Sequence, residues 1–329
     1  MKLVVSVSPH IHRDISIPRI MYTIIIALVP AFIWSICSFG IRALWLVIVS
    51  CGVACLTEAI VQILIKKRRT YFDGSAILTG MLLAFNLPVK VPFWIPIVGV
   101  IFAIVVAKQA FGGLGYNFIN PALAGRAFIV ASWPQAMSGL WSAPKFGAIS
   151  DMNVITNVAP LGVLKVNSGN PAIVSMLNSG DSIKNLFLGV CGGTLGEVSS
   201  FFLLLGGIFL IAMKYIDWRI PLAYIGTVGI LMQMFYMFGI TPVNGIFHIL
   251  VGGLFLGAFF MATDYVTSPI TREGRWVFGV GCGIITVLIR LWGAQPEGVC
   301  YAILIMNCFV PLIERALKPK IFKQIKILS

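Results

Sequence analysis

The sequence predicts an all-α integral membrane protein of about ten transmembrane helices, and three observations carry that prediction. Of the 329 residues, 59% are hydrophobic and only 11% are charged, with a mean hydropathy of +0.97. A soluble protein is about 25% charged, whereas a surface facing lipid needs no charge. The apolar residues fall in runs close to the length of about 20 that spans a bilayer. Most of the 24 Lys and Arg residues lie between these runs, at their ends or in the terminal tails. That distribution argues for a membrane and against nucleic acid as the partner of a chain of net charge +13.

The runs place segments at about 20–39, 43–65, 74–88, 92–110, 119–134, 192–213, 218–238, 244–262, 276–293 and 297–316. The first 19 residues carry Lys2, Arg13 and Arg19 and no apolar h-region, so no cleavable leader is expected. The third and fifth runs are short and interrupted by Gly, Pro or polar residues. The basic cluster Lys66, Lys67, Arg68, Arg69 closes the second segment and is assigned to the cytoplasm. Both termini then fall inside, with 18 of the 24 basic residues cytoplasmic and six outside: Arg42, Lys90, Lys145, Lys165, Lys184 and Arg290. Between the fifth and sixth segments, residues 136–191 are rich in Ser, Asn, Gly and Pro and read as an extracytoplasmic loop with turns. This loop divides the chain into a first five-helix half, 1–135, and a second, 192–329, which ends in the basic tail. An odd number of segments per half makes the two halves inverted repeats. Their third segments, 76–88 and 249–261, share closely spaced Gly and Ala.

Ionisable residues at membrane depth are costly and must face protein or a water-filled cavity. Four acidic residues lie in or near the apolar segments. Glu58 is within reach of the basic cluster 66–69, Asp73 lies before the third segment, and Asp264 opens a polar turn and suits a helix-end cap. Glu197 follows Cys-Gly-Gly-Thr-Leu-Gly and is placed in the first turn of a helix, where it serves either as an N-terminal charge or as part of a site. The densest polar stretch is GGLGYNFINPALAGRAF at 112–128, with Gly113, Gly115, Asn117, Asn120 and Arg126. A broken helix of this kind is tolerated where it lines a cavity or holds a ligand. Arg126 calls for an anion, such as a phosphate or a flavin edge, or for a carboxylate such as Glu58 or Asp73.

Other chemistry is thin. The seven cysteines form no C-x-x-C pair, and Cys51 and Cys55, on one helix face, are too few for a metal site. The three histidines, His10, His12 and His248, form no metal or catalytic set, and no phosphate-binding loop occurs. Chemistry in this chain must therefore come from a bound cofactor or from moving a solute.

Six stretches in chain order carry a family resemblance: SPHIHRDISIPRIMY at 8–22, YFDGSAILTGMLLAFNLP at 71–88, 112–128, GGTLGEVSSFFLLLGGIFLI at 192–211, FFMATDYVTSPIT at 259–271 and YAILIMNCFVPLIERALKP at 301–319. The chain resembles the D subunits of Rnf complexes, ion-translocating ferredoxin:NAD oxidoreductases. More distantly, it is similar to the B subunit of the sodium-pumping NADH:quinone reductase. The resemblance implies a urea-transporter-like arrangement of two inverted halves. It implies FMN joined by a phosphoester to a Thr in the large loop, riboflavin in some members, and the A, B, C, E and G subunits as partners in a bacterial cytoplasmic membrane. Electron flow between ferredoxin and NAD would be coupled to Na+ or H+ translocation. The family's attachment motif reads D-x-x-[ST]-G-[AS]-T-P-L, whereas this chain reads DMNVITNVAPL from Asp151 to Leu161. Aligned on Pro160-Leu161, Ala159 takes the acceptor position; aligned on Asp151, Thr156 falls one residue short of it and is the available hydroxyl. The rival reading is a stand-alone ten-helix facilitator for a small polar solute, because a fold does not settle function.

Overall fold

A computed structural model describes residues 16–65, 73–138, 160–167, 170–189, 192–197, 199–293, 295 and 297–317. Thr156, Asp151 and Ala159 lie outside the described residues, as do the basic cluster 66–69 and the end of the tail. Among the described residues every regular element is a helix, joined by turns and irregular stretches, with one isolated bridge between Pro88 and Thr194.

Two long helices open the chain, α1 (Ile17–Phe39) and α2 (Ile41–Leu64), hinged at Gly40. The third run forms only a half-length helix, α3 (Ser75–Phe85), which ends at Asn86 two residues before Pro88. The next segment is α4 (Trp94–Phe102), continued by a π-helical stretch, Ala103–Gln109. Then comes α5 (Pro121–Ser132), whose start is fixed by Pro121 at its first position and by the Asn120 side chain accepting from the Ala122 and Leu123 N–H groups at 3.0 and 3.4 Å. The loop region holds short helices where the sequence suggested turns: α6 (Pro134–Ser138), α7 (Pro160–Asn167), α8 (Pro171–Leu177) and α9 (Gly180–Leu188). Three of these begin on a proline, which serves a first helical turn as well as it serves a β-turn. Leu161, Leu177 and Leu186 from this region make a small core with Val243, Phe247 and Val251.

In the second half, the run expected at 192–213 is helical only as α10 (Ser200–Ala212), capped by the Ser199 hydroxyl. Glu197 therefore lies in the lead-in to this helix, not in its first turn. The long α11 (Arg219–Met237) follows. The eighth run is broken: α12 (Gly245–Leu250) stops, Gly252 and Gly253 turn with φ of 77° and 65°, and α13 (Leu254–Leu256) resumes into a π-helical stretch, Gly257–Met261. The chain closes with α14 (Arg272–Trp292) and α15 (Val299–Ala316). Among the described residues, five helices, α1, α2, α11, α14 and α15, are long and apolar enough to cross a membrane.

Backbone freed by the breaks is satisfied internally, as hydrocarbon requires. The stretch after α3 meets the lead-in to α10: Leu195 N–H donates to Leu87 O at 3.2 Å and Gly196 N–H to Phe85 O at 2.7 Å. Arg42 from α2 donates to the carbonyls of Val89, Lys90 and Val91 at 2.9–3.2 Å. Arg290 from α14 does the same for α12, bonding the carbonyls of His248 and Val251. Close helix approach relies on small residues. A Cβ on Gly80 of α3 would stand 2.7 Å from the Ser50 carbonyl of α2.

Candidate functional site

Two buried polar clusters lie within the helical body. The first centres on Glu58 of α2 and Lys108 of the π-helical stretch, 0% and 1% exposed, with Nζ 2.8 Å from Oε2. Gln62 and Gln109 both donate to the other carboxylate oxygen, at 3.2 and 2.9 Å. Lys108 also donates to the Ser75 hydroxyl at 2.7 Å, and that hydroxyl donates to Asp73 at 2.6 Å. The i→i+5 bonding of residues 103–109 adds a residue to the turn and lets neighbouring Lys108 and Gln109 both reach Glu58. Lys108 is thus the cation that pairs with Glu58 among the described residues; the basic cluster at 66–69, the partner expected from the sequence, lies outside them.

The second cluster centres on Arg126, half way along α5. It donates to Asn86 Oδ1 at 2.7 Å and is ion-paired with Glu297, at the start of α15. The carboxylate expected for Arg126 is thus Glu297, not Glu58 or Asp73. Nearby, Glu197 accepts from the Thr194 N–H at 3.3 Å. The Gly252-Gly253 break passes between Glu197 and Arg290: a Cβ on Gly253 would lie 3.3 Å from Glu197 Oε1, and one on Gly252 2.6 Å from Arg290 Nη2. Glu197 Oε1, both ring nitrogens of His248 and Arg290 Nε are buried with no hydrogen-bond partner.

Beside the first cluster lies a narrow cleft of about 60 Å³. Its apolar wall includes Met21, Leu78, Leu82, Phe259 and Phe260; its polar edge includes Ser75, Thr79, Asn117, Asn120, Thr263 and Asp264. Asp264 accepts from the Thr267 hydroxyl at 3.2 Å within a turn and faces the cleft; it caps none of the described helices, contrary to the helix-end role its sequence context suggested. Asn120 is largely used: its oxygen caps α5 and its nitrogen donates to Met261 O at 3.2 Å. Asn117 is less so, since its Oδ1 is buried without a partner. Gly113 and Gly115 have φ of 99° and 94°, which lets the loop fold back and bring Leu114 and Asn117 to the cleft.

This donor set fits an uncharged flavin better than a phosphorylated one. Apolar faces and a rim of amides and hydroxyls suit a ring system and a polyol, and the buried Asn117 oxygen lacks a donor that such a ligand carries. The one lysine at the rim, Lys108, is already committed to Glu58. Asn117 and Asn120 thus line the cleft, Gly113 and Gly115 only flank Leu114 in the loop that reaches it, and Arg126 and Glu197 stand in the second cluster. Sequence reading did not single out Lys108, Asn86, Glu297 or Arg290 as parts of a site. Only Asn86 had a local signal, an Asn-Leu-Pro ending to an apolar helix.

The fold and site define a multi-pass membrane protein whose broken segments carry paired charges at depth. A sequence model of the NQR2, RnfD, RnfE family matches residues 4–323. The chain is 46% identical over 329 residues to the D subunit of a Na(+)-translocating ferredoxin:NAD(+) oxidoreductase complex from Acetobacterium woodii, covering 99% of this chain and 97% of that one. It is 44% identical to a proton-translocating counterpart in Clostridium ljungdahlii, over 96% and 94% of the two chains. It is 39% identical to the D subunit of an ion-translocating oxidoreductase complex from Stutzerimonas stutzeri, over 93% and 92%. The chain belongs to the NQR2, RnfD, RnfE family.

Proposed function

We propose that this chain is the flavin-bearing membrane subunit of an Rnf-type redox pump, relaying electrons between ferredoxin and NAD and coupling them to Na+ or H+ translocation. The names of its relatives support the complex and the coupling. The observation that carries the reading is a line of polar contacts through the body. It starts at Glu58 and Lys108, reaches the cleft at Ser75, and continues from Asn120 to Met261. Asn86 touches the Met261 sulfur at 3.6 Å and leads to Arg126 and Glu297. Charged and polar side chains at this depth mark ion paths and cofactor sites. The lining of the cleft, though not its present width, suits the ring and polyol of riboflavin, and Thr156 in the loop is the oxygen available to FMN. When bound, a flavin supplies the electron transfer; the chain supplies its position and surroundings.

In this reading the chain sits in a bacterial cytoplasmic membrane with both termini inside, with the A, B, C, E and G subunits of the complex as partners. Residues 1–135 and 192–329 form inverted halves around the 136–191 loop. Three features favour that repeat. The third segment of each half is broken, and each begins on an Asx-Gly pair, Asp73-Gly74 and Asn244-Gly245. Matching those pairs sets 76–88 against 247–259, two residues from the register the small residues suggest. First segments α1 and α10 pack together, as do fifth segments α5 and α15, as elements beside a two-fold axis do.

Flavin content tests the proposal. The purified chain should be yellow, and its denatured band should fluoresce under ultraviolet light in wild type but not in Thr156→Ala. Asn117→Leu should lower the flavin released on denaturation and leave the band unchanged. A colourless protein with a dark band would return the chain to the solute-facilitator reading.

A further inference from the structure

The face built by α10, α11 and the turn joining them carries two adjoining hollows. One is a polar pocket of about 470 Å³, lined among others by Lys214, Asp217, Trp218 and Arg275. The other is a groove of about 580 Å³ walled by Leu204, Leu222, Ile225, Ile230, Ile249 and Phe255, with Gly226 and Gly229 also lining it. Ile211 and Trp218 line both, so the groove opens into the pocket.

The level of the junction is marked by aromatic residues. Trp218 and Trp276 are 46% and 38% exposed and meet edge to face at 5.7 Å, a pairing suited to the headgroup region. The pocket is basic. Asp217 is taken up by Arg219 at 2.8 Å and by Arg275. Lys214 forms no ion pair with any described residue, and the site keeps a positive excess. Lys214 is also the one described non-glycine residue with positive φ, 59°. That backbone is strained for a lysine, a feature associated with functional positions. A basic lining repels Na+, so this pocket does not serve as a cation mouth to the neighbouring cleft. The groove presents almost wholly apolar walls and runs away from the pocket along α11.

We propose that this junction binds one anionic phospholipid of the adjacent leaflet. Its phosphate sits against Lys214 and the unused donors of Arg275, and one acyl chain lies in the groove over Gly226. An apolar slot that ends in a basic pocket at headgroup level matches the two-part chemistry of such a lipid. A partner's apolar helix would fill the slot and leave Lys214 unmatched.

The test is native mass spectrometry of the full-length chain released from nanodiscs of phosphatidylglycerol or phosphatidylcholine. One phosphatidylglycerol should be retained, preferred over phosphatidylcholine. Lys214→Gln should weaken that preference about fivefold. Gly226→Phe should expel the lipid while every charge remains; a Cβ there meets nothing within 4 Å, so the fold accommodates the variant. Inorganic phosphate should not compete. Equal retention of the two lipids, indifference to both variants, or displacement by inorganic phosphate would overturn the proposal. So would a crosslinker on Gly226→Cys that captures another protein of the assembled complex instead of lipid.

Discussion

At the scale of single residues, the energetics turn on charges taken out of water. Lys108 and Glu58 are fully buried; Glu58 is also bonded by Gln62 and Gln109, and Lys108 also donates to Ser75. Removing one member leaves the other unpaired, at a cost of about 3–5 kcal/mol. Lys108→Met should therefore lower thermal stability sharply, and adding Glu58→Gln should restore most of it. Thermal unfolding of the two single variants and the double variant checks this; additive losses would mean the pair is not coupled. The same reasoning applies to Arg126, with Glu297→Gln the milder lesion because an amide still accepts a hydrogen bond. Asn120 was legible as important from its place before Pro121. Its second bond, to Met261, was not, because 141 residues separate the partners.

At the scale of elements, the broken segments depend on arginines borrowed from neighbours. Arg290 bonds two carbonyls at the end of α12. Leaving a buried carbonyl unsatisfied costs about 1–3 kcal/mol. Arg290→Leu should loosen the Gly252-Gly253 break, and hydrogen exchange of residues 245–256 should rise well above that of α11. The α10–α11 turn is tied to α14 through Asp217. Partial burial works to raise its carboxyl pKa, but bonds from the Arg219 N–H and from Arg275 outweigh this and hold it below the usual range. A depressed carboxylate stabilises above its unfolded pKa, about 3.9, and that contribution fades as pH falls through the folded value. Wild type should thus be more heat-stable than Asp217→Asn at neutral pH, and the gap should close in strong acid. The half-length of α3 was partly visible in Asn86-Leu-Pro88. The break at Gly252 was less so, since the apolar run continues across it.

At the scale of the whole molecule, the proposed orientation rests on the expected distribution of Lys and Arg, which would put 18 of the 24 on the cytoplasmic side. The loop helices should therefore face away from the side that holds the termini. A cysteine at Asp181, whose side chain is 93% exposed, placed in a cysteine-free background, reads this directly. It should be labelled by an impermeant maleimide from outside intact cells, and labelling only in inside-out vesicles would reverse the topology. The small core of Leu161, Leu177 and Leu186 against Phe247 shows that this loop docks on the broken eighth segment. A composition rich in Ser, Asn and Pro marked the loop but did not reveal that it packs.

The class of protein, the number and positions of the apolar runs, and the cap at Asn120 are local properties. Lipid demands that every spanning segment be apolar along its own length, and that demand is written into each segment separately. Pairing is a different matter. Glu58 with Lys108, Arg126 with Asn86 and Glu297, and Arg290 with the end of α12 join positions 39 to 171 residues apart. A charge at membrane depth states only that it needs a partner. Which partner it finds depends on how half-length helices and their extended ends come together, and only the tertiary structure decided that.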